Sequence, residues 1–304
     1  MTTQIDELMT FLSGSITPFH AVEVMAKTLQ RAGFEQLDQF DAVRMTPGKG
    51  YFVVHQGSSL MAVRAGHSGV EAGLRLVGAH TDSPNLSVKP NPVKGRDGCI
   101  QLGVDVYGGA LLNPWFDRDL GMAGRLSMLT PDNALRTTLF DTGRAVAVIP
   151  SLAIHLDREA NSQRSINPQK DVVPLVMLGE HQQYDLKTWL AQELARADSQ
   201  WQGARVMDYE LSLYDTQPPN QIGIDGDFIA SARLDNLLSC YAGMRALIDA
   251  DEAQWSLFVA TDHEEVGSAS TVGAQGPMLM DALAALAPDP KLNRMMRAQS
   301  WMMS

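Results

Sequence analysis

Three short stretches of the chain set ionisable side chains at the edge of apolar runs. In SLFVATDHEEVGSAS, residues 256–270, the apolar run Leu257 to Ala260 gives way to Asp262, His263, Glu264 and Glu265. Adjacent glutamates on a regular strand point to opposite faces, but at a strand end they can straddle one site. One carboxylate then binds a metal while the other takes a proton from the water activated there. A solvated acidic turn is the plain alternative, and His263 reads as a structural residue of that turn. In LVGAHTDSPN, His80 and Asp82 lie just beyond another apolar run. A metal-binding histidine commonly needs a carboxylate to orient its ring, and Asp82 can supply it. In SARLDNLLS, Asp235 immediately precedes an apolar helical segment. Its carboxylate is of the type that bridges two metals, although an isolated Asp-Asn pair more often caps a helix. Taken together, His80, Asp235 and Glu265 are ligand types and Glu264 is a candidate base, all at element boundaries.

The elements that must position these residues follow from periodicity. IDELMTFL and TPFHAVEVMAKTLQRAGF read as helices, the second with Thr17 as a cap, Pro18 in its first turn and Gly33 closing its end. YFVVHQ, SLMAVRAG and GLRLVGAH read as strands, the last emptying into the His80 stretch. From about Lys89 to Gly226 the texture is β-rich: IQLGVDVYGGALL, RAVAVIPSLAIHLD, DVVPLVML and ARVMDYELSLYD alternate with Pro, Asn, Asp and Gly clusters. Helical spacing then returns in SARLDNLLSCYAGMRALIDAD, strand character in WSLFVATD, and helical character in PMLMDALAALA and KLNRMMRAQ. The pattern predicts an α/β domain, residues 1–88 plus 227–304, interrupted by a β-rich insert, residues 89–226. In an open α/β sheet the carboxyl ends of parallel strands carry the ligand site, which is where the polar stretches fall.

Composition narrows the chemistry. The chain has 304 residues, 45% of them hydrophobic, enough for a substantial core. A net charge of −11 repels phosphate backbones and anionic lipid, which disfavours nucleic acid and membrane as partners. Cys99 and Cys240 lie far apart without metal-knuckle spacing, so a reducing cytoplasm fits. The N-terminus has no basic, apolar leader pattern, and no run of about 18 apolar residues occurs. The glycines of GHSGVEAG and GSASTVGAQG lack phosphate-loop spacing, and no GxSxG surrounds Ser268 or Ser270. The sixteen methionines, several in MMRAQSWMMS, read as flexible core filling.

GAHTDSPNL, ARLDN and DHEEVGS resemble the three hallmark segments of the M18 zinc aminopeptidases, the aspartyl aminopeptidases, with the bacterial branch the nearest in kind. TPFHAV, NPWFDRDLGMAGR and AIHLDR extend the likeness over essentially the whole chain. The resemblance implies an α/β sandwich of the zinc-peptidase, phosphorylase/hydrolase-like type, with the insert serving dimerisation within a tetrahedral dodecamer. It implies two zinc ions: His80 on one, Asp235 bridging both, Glu265 on the other. Glu264 would be general base and acid, Asp82 would orient His80, and His155 in the insert would reach a neighbouring subunit's active site. The substrate would be a peptide with a free N-terminal Asp or Glu. Cobalt and manganese also suit such His and carboxylate donors.

The family continues past the strand that here ends in SWMMS, with a further ligand Asp and a later ligand His. The expectation is therefore of open metal sites, weak zinc binding and poor turnover in the 304-residue chain itself. Two other readings compete: a noncatalytic assembly subunit whose insert still oligomerises, and a different dinuclear zinc amidohydrolase.

Overall fold

The computed structural model describes residues 4–40, 45–179 and 184–304. The chain opens with two helices, α1 (Gln4–Gly14) and α2 (Pro18–Arg31). In α2 the buried residues Ala21, Val22, Met25 and Leu29 recur every three to four positions and form the core-facing stripe. Thr17 occupies the N-cap position, yet its hydroxyl pairs with His20 Nδ1 at 2.8 Å and caps no backbone amide. Gly33, at φ 85°, ends the helix as expected: its N–H reaches Gln30 O and that of Phe34 reaches Leu29 O, the Schellman pattern. There follow β1 (Glu35–Gln36), β2 (Gly50–His55), β3 (Ser59–Arg64) and β4 (Leu74–His80).

The chain then builds β5 (Asn85–Arg96), β6 (Cys99–Tyr107), β7 (Leu120–Leu129), β8 (Leu135–Asp141), β9 (Leu175–Leu178), α3 (Leu186–Ala197) and β10 (Arg205–Asp215). It closes with the hairpin β11 (Asn220–Ile222) and β12 (Phe228–Ala230), then α4 (Leu234–Ile248), β13 (Trp255–Thr261), α5 (Met278–Leu286), α6 (Pro290–Gln299) and β14 (Trp301–Met303). Two compact units result: Met1–Ser83 with Pro219–Ser304, and Pro84–Pro218. Composition sets the change of texture at Lys89 and Gly226; the units divide earlier at both ends. Asn85 already pairs with Tyr107 of β6, and Pro219 leads into a hairpin that sides with the flanking unit.

The first unit is an α/β sandwich. Its mixed sheet runs β1-β2-β3-β13-β4-β14, with β13 antiparallel to β3 and parallel to β4. Phe258 and Ala260 of β13 pack with α1, α2 and α4 on one face. Leu257 and Val259 point the other way, into a second core with Met278, Leu283 and Met296 of α5 and α6. Burial on both faces explains why this strand reads as an unbroken apolar run. Each large side chain so buried contributes about 1.5–3 kcal/mol.

Two details set the place of α4. A Cβ on Gly243 would stand 2.8 Å from the Phe258 ring and 2.9 Å from Val77 Cγ1, so the glycine lets the helix lie close on the sheet. At the other end Arg64 donates to Ile248 O at 2.7 Å and Leu247 O at 3.4 Å, a cation on the last carbonyls of the helix. Among the described residues no helix is long and apolar enough to cross a membrane.

The second unit holds a sheet ordered β8-β7-β10-β5-β6-β9, every neighbouring pair antiparallel. Ala147 bridges to Leu120 of β7 and Val148 to Leu175 of β9, so residues 147–148 link β7 to the edge strand β9. Leu186, Leu190 and Leu194 of α3 join its core. RAVAVIPSLAIHLD, read above as strand-like, forms only those isolated bridges; beyond Pro150 it is irregular and exposes Leu152, Ile154 and Leu156. Proline lacks the N–H a ladder needs, and no neighbouring strand receives the rest of the run.

Candidate active site

Because β4 and β13 run parallel with His80 opposite Thr261, the residues just past both strands meet at one sheet edge. The edge is tied down by buried hydroxyls and amides: Thr81 N–H donates to Thr261 O at 2.8 Å, and Thr81 Oγ1 to Ser58 O at 2.8 Å. The start of α4 is drawn to the same place, since Ser83 Oγ donates to Asp235 O at 2.8 Å. Asp235 and Asn236 depart from helical φ/ψ, and the peptide between them is cis. Cys240, one turn further, is fully buried and donates its thiol to His80 O at 3.1 Å. Burial pushes that thiol's pKa far up and leaves it a packing residue.

His80 lies at the centre. Its Nδ1 is 3.0 Å from Asp82 O and 3.2 Å from Asp82 Oδ1, so Nδ1 carries the donated proton. That leaves Nε2 as the face for a ligand. Nε2 stands 3.4 Å from Asp235 Oδ1 and 3.8 Å from Glu264 Oε2. Burial pulls the His80 pKa down, but the Asp82 hydrogen bond and charge, with the charge of Glu264, outweigh it and raise it above the ordinary value. A metal at Nε2 would compete with the second proton, the one that makes the ring cationic, and leave the Nδ1 proton on Asp82.

Asp82, 1% exposed, does more than face a ring. Its Oδ1 accepts from Glu264 N and its Oδ2 from Glu265 N, each at 3.1 Å. The carboxylate thereby caps the short 3-10 turn Glu264–Val266 and joins the two acidic stretches. The turn is entered through His263 at φ 64° and left through Gly267 at φ 95° and Ser268 at φ 60°. His263, read as structural, pairs through Nδ1 with Ser270 Oγ at 2.7 Å, which suits a residue held in left-handed backbone. Beneath it, Asp262 N–H donates to Ser59 Oγ at 2.9 Å, and Asp262 Oδ1 accepts from His263 N at 2.7 Å. Burial raises the Asp262 pKa against the opposing pull of His263.

A cavity of about 490 Å³ opens at this edge. His80, Asp235, Asn236 and Glu264 supply its polar side, while Val259 and Met278 contribute to its apolar wall. Glu265 does not line it: its backbone is fixed on Asp82 and the turn sends only Glu264 into the cavity. His155 lies in the other unit, exposed in an irregular turn. Among the described residues no group of three or more His, Cys, Asp or Glu side chains is gathered to hold a metal. His80 and Asp235 are nonetheless donors of the type zinc takes, already facing one another, with Asp82 behind the ring. They fit two of the three protein positions of a catalytic zinc.

Periodicity and motif spacing did not single out Ser83, Asn236 or Ser270. The signal for Asn236 and Ser83 was present in their adjacency to Asp235 and Asp82; Ser270 depends on a turn conformation that spacing does not reveal.

Comparison with known proteins gives the family of the chain. The family model for aminopeptidase I zinc metalloprotease (M18) matches residues 11–304. The chain belongs to the M18 family. It is 49% identical over 284 residues to the probable M18 family aminopeptidase 2 of Pseudomonas entomophila, covering 93% of this chain and 66% of that protein. The corresponding protein of Stutzerimonas stutzeri matches with the same identity and coverage. The M18 chain thus spans just under two thirds of the length of these curated relatives. Among solved structures, the Ape4 and Nbr1 complex gives a TM-score of 0.89 at 31% identity, over 98% of this chain and 62% of that one. The S. cerevisiae mApe1 dodecamer gives 0.79 at 25%, over 97% and 69%. The M18 aminopeptidase of Thermotoga maritima shares the fold, at a TM-score of 0.81, 22% identity and 99% and 68% coverage.

Proposed function

We propose that this M18 member acts as a zinc-dependent aminopeptidase, removing N-terminal acidic residues from peptides. The observation that carries the reading is the convergence of Asp235 and Glu264 on the Nε2 face of His80, with Asp82 holding the opposite face of the ring. His80 and Asp235 would hold one zinc, and Asp235 would bridge to a second; Glu265, given to that second ion by the family resemblance alone, does not line the cavity. Zinc, when bound, lowers the pKa of water and polarises a carbonyl.

The chain's own residues supply the rest. His80 keeps its Nδ1 proton on Asp82 and offers Nε2. Glu264, lining the cavity, accepts a proton from the attacking water and returns it to the nitrogen of the leaving amine. Asp82 fixes the backbone of Glu264, so the base and the histidine share one anchor.

His155 would meet the substrate in a neighbouring subunit, and the Pro84–Pro218 unit would mediate dimers within a larger assembly. The exposed Leu152, Ile154 and Leu156 beside His155, and the dodecameric relative, support that reading. Free Cys99 and Cys240 fit a reducing cytoplasm.

The test is zinc content and hydrolysis of an N-terminal Asp peptide beside its N-acetylated form. Slow cleavage of the free peptide alone, slow because His80 and Asp235 fill only two protein positions on the zinc, and lowered about 100-fold or more by Glu264→Gln with zinc retained, is the expected result. Full activity in that variant, or equal cleavage of the acetylated peptide, would overturn the proposal.

A further inference from the structure

We infer that Asn236 is a positioning residue for the ligand pair: its amide spans His80 and Asp235 and aims the carboxylate at the imidazole. The inference rests on the zinc site of the preceding subsection. The Asp235 side chain is 83% exposed, and an exposed carboxylate is otherwise shared among several rotamers. Asn236 Nδ2 donates to Asp235 Oδ1 at 3.3 Å, and that same oxygen stands 3.4 Å from His80 Nε2. Asn236 Oδ1 accepts from the His80 backbone N–H at 3.2 Å. The three residues close a ring: backbone of His80, amide of Asn236, carboxylate of Asp235, imidazole of His80.

Chemistry fixes the amide's orientation. A backbone N–H needs an acceptor and an ionised carboxylate needs a donor, so Oδ1 must face His80 N and Nδ2 must face Asp235. Among side chains of this size only asparagine is a neutral donor and acceptor in that spacing. Aspartate would set two like charges side by side, and leucine would offer neither group. Asp235 and Asn236 are non-helical, so the continuous part of α4 starts after them and the pair invites the cap reading, yet the Asn236 amide is spent elsewhere than on a helix N–H. The Asn236 bonds run to the sheet edge and to its neighbour. Ser83 meanwhile fixes the Asp235 backbone through its carbonyl, which leaves the side-chain direction to Asn236.

The experiment measures Zn²⁺ affinity of the 304-residue chain by competition with a chromophoric chelator, in wild type, Asn236→Ala, Asp235→Ala and the double variant. Loss of an outer partner of a metal ligand typically weakens binding at least about 10-fold, and Asn236→Ala should do so here. On the Asp235→Ala background the same change should alter affinity less than about 2-fold, because the group it aims is gone. Equal weakening on both backgrounds, or none on either, overturns the inference. A wild-type chain that takes up no zinc overturns the metal-site reading itself and the inference with it. Should the alanine variant lose its fold by circular dichroism, Asn236→Gln, with both amide groups displaced by a methylene, carries the same comparison.

Discussion

Residues 145–157, AVAVIPSLAIHLD, and residues 257–265, LFVATDHEE, are written alike: an apolar run, a histidine, acids. Their fates differ. The second becomes the interior of β13, hydrogen-bonded on both sides and buried on both faces, and delivers Glu264 to a cavity. The first finds bridges only at Ala147 and Val148, meets Pro150, and leaves Leu152 64% and Leu156 67% exposed. Local composition does not distinguish them. A strand exists where a neighbour stands ready to satisfy its amides, and the chemistry at the end of a strand paired on both sides inherits that rigidity.

The contrast can be tested by weight. Phe258→Ala should produce the largest effect, a loss of about 3–5 kcal/mol in denaturant unfolding, because its ring is fully buried between β13 and three helices. A loss below about 1 kcal/mol would mean the sheet does not depend on this strand's packing. Asp82→Ala should cost about 3 kcal/mol, since two amides of the Glu264 turn and the His80 ring lose a buried charged acceptor together. Rapid amide hydrogen exchange at Glu264 and Glu265 in that variant, with slow exchange in wild type, would locate the effect.

In the second unit Asp185 caps α3, accepting from Lys187 N at 3.3 Å and Thr188 N at 3.1 Å, and Asp185→Ala should cost about 1 kcal/mol. The Thr188 hydroxyl bond leads the causes that lower the Asp185 pKa. A depressed folded-state pKa gives stability that is present above the unfolded carboxylate value and lost as pH falls through the folded one. The gap between wild type and variant should therefore be full at pH 7 and shrink below about pH 4; a gap that widens in acid would refute the assignment. The smallest effect belongs to Ile154→Ala, within about 0.5 kcal/mol for an exposed side chain. A larger loss would show this segment covered in solution, and would narrow the contrast with β13.

Much of the first unit was legible. The helical stripe of α2, its Gly33 close and the apolar β13 run all follow from spacing, because a two-faced core forces period on the sequence. His80, Asp82, Asp235 and Glu264 were legible as residue types at element ends, and they are brought together by the parallel pairing of β4 and β13 and by the bonds that draw in the start of α4. Thr17 shows the limit from the other side: the cap residue is present, but a nearby imidazole takes its hydroxyl.

The residue types at the strand ends, the α/β alternation and the β-rich interruption are written in the sequence, since these depend on side-chain chemistry and on periodicity within one element. Long-range packing sets which of two adjacent glutamates faces the cavity, has Asp82 anchor the turn as well as the histidine, and lets Asn236 close a ring between two stretches 156 residues apart. Those outcomes depend on left-handed backbone, on strand register and on the approach of α4 to the sheet. Each is set by contacts between distant segments, and no local pattern encodes it.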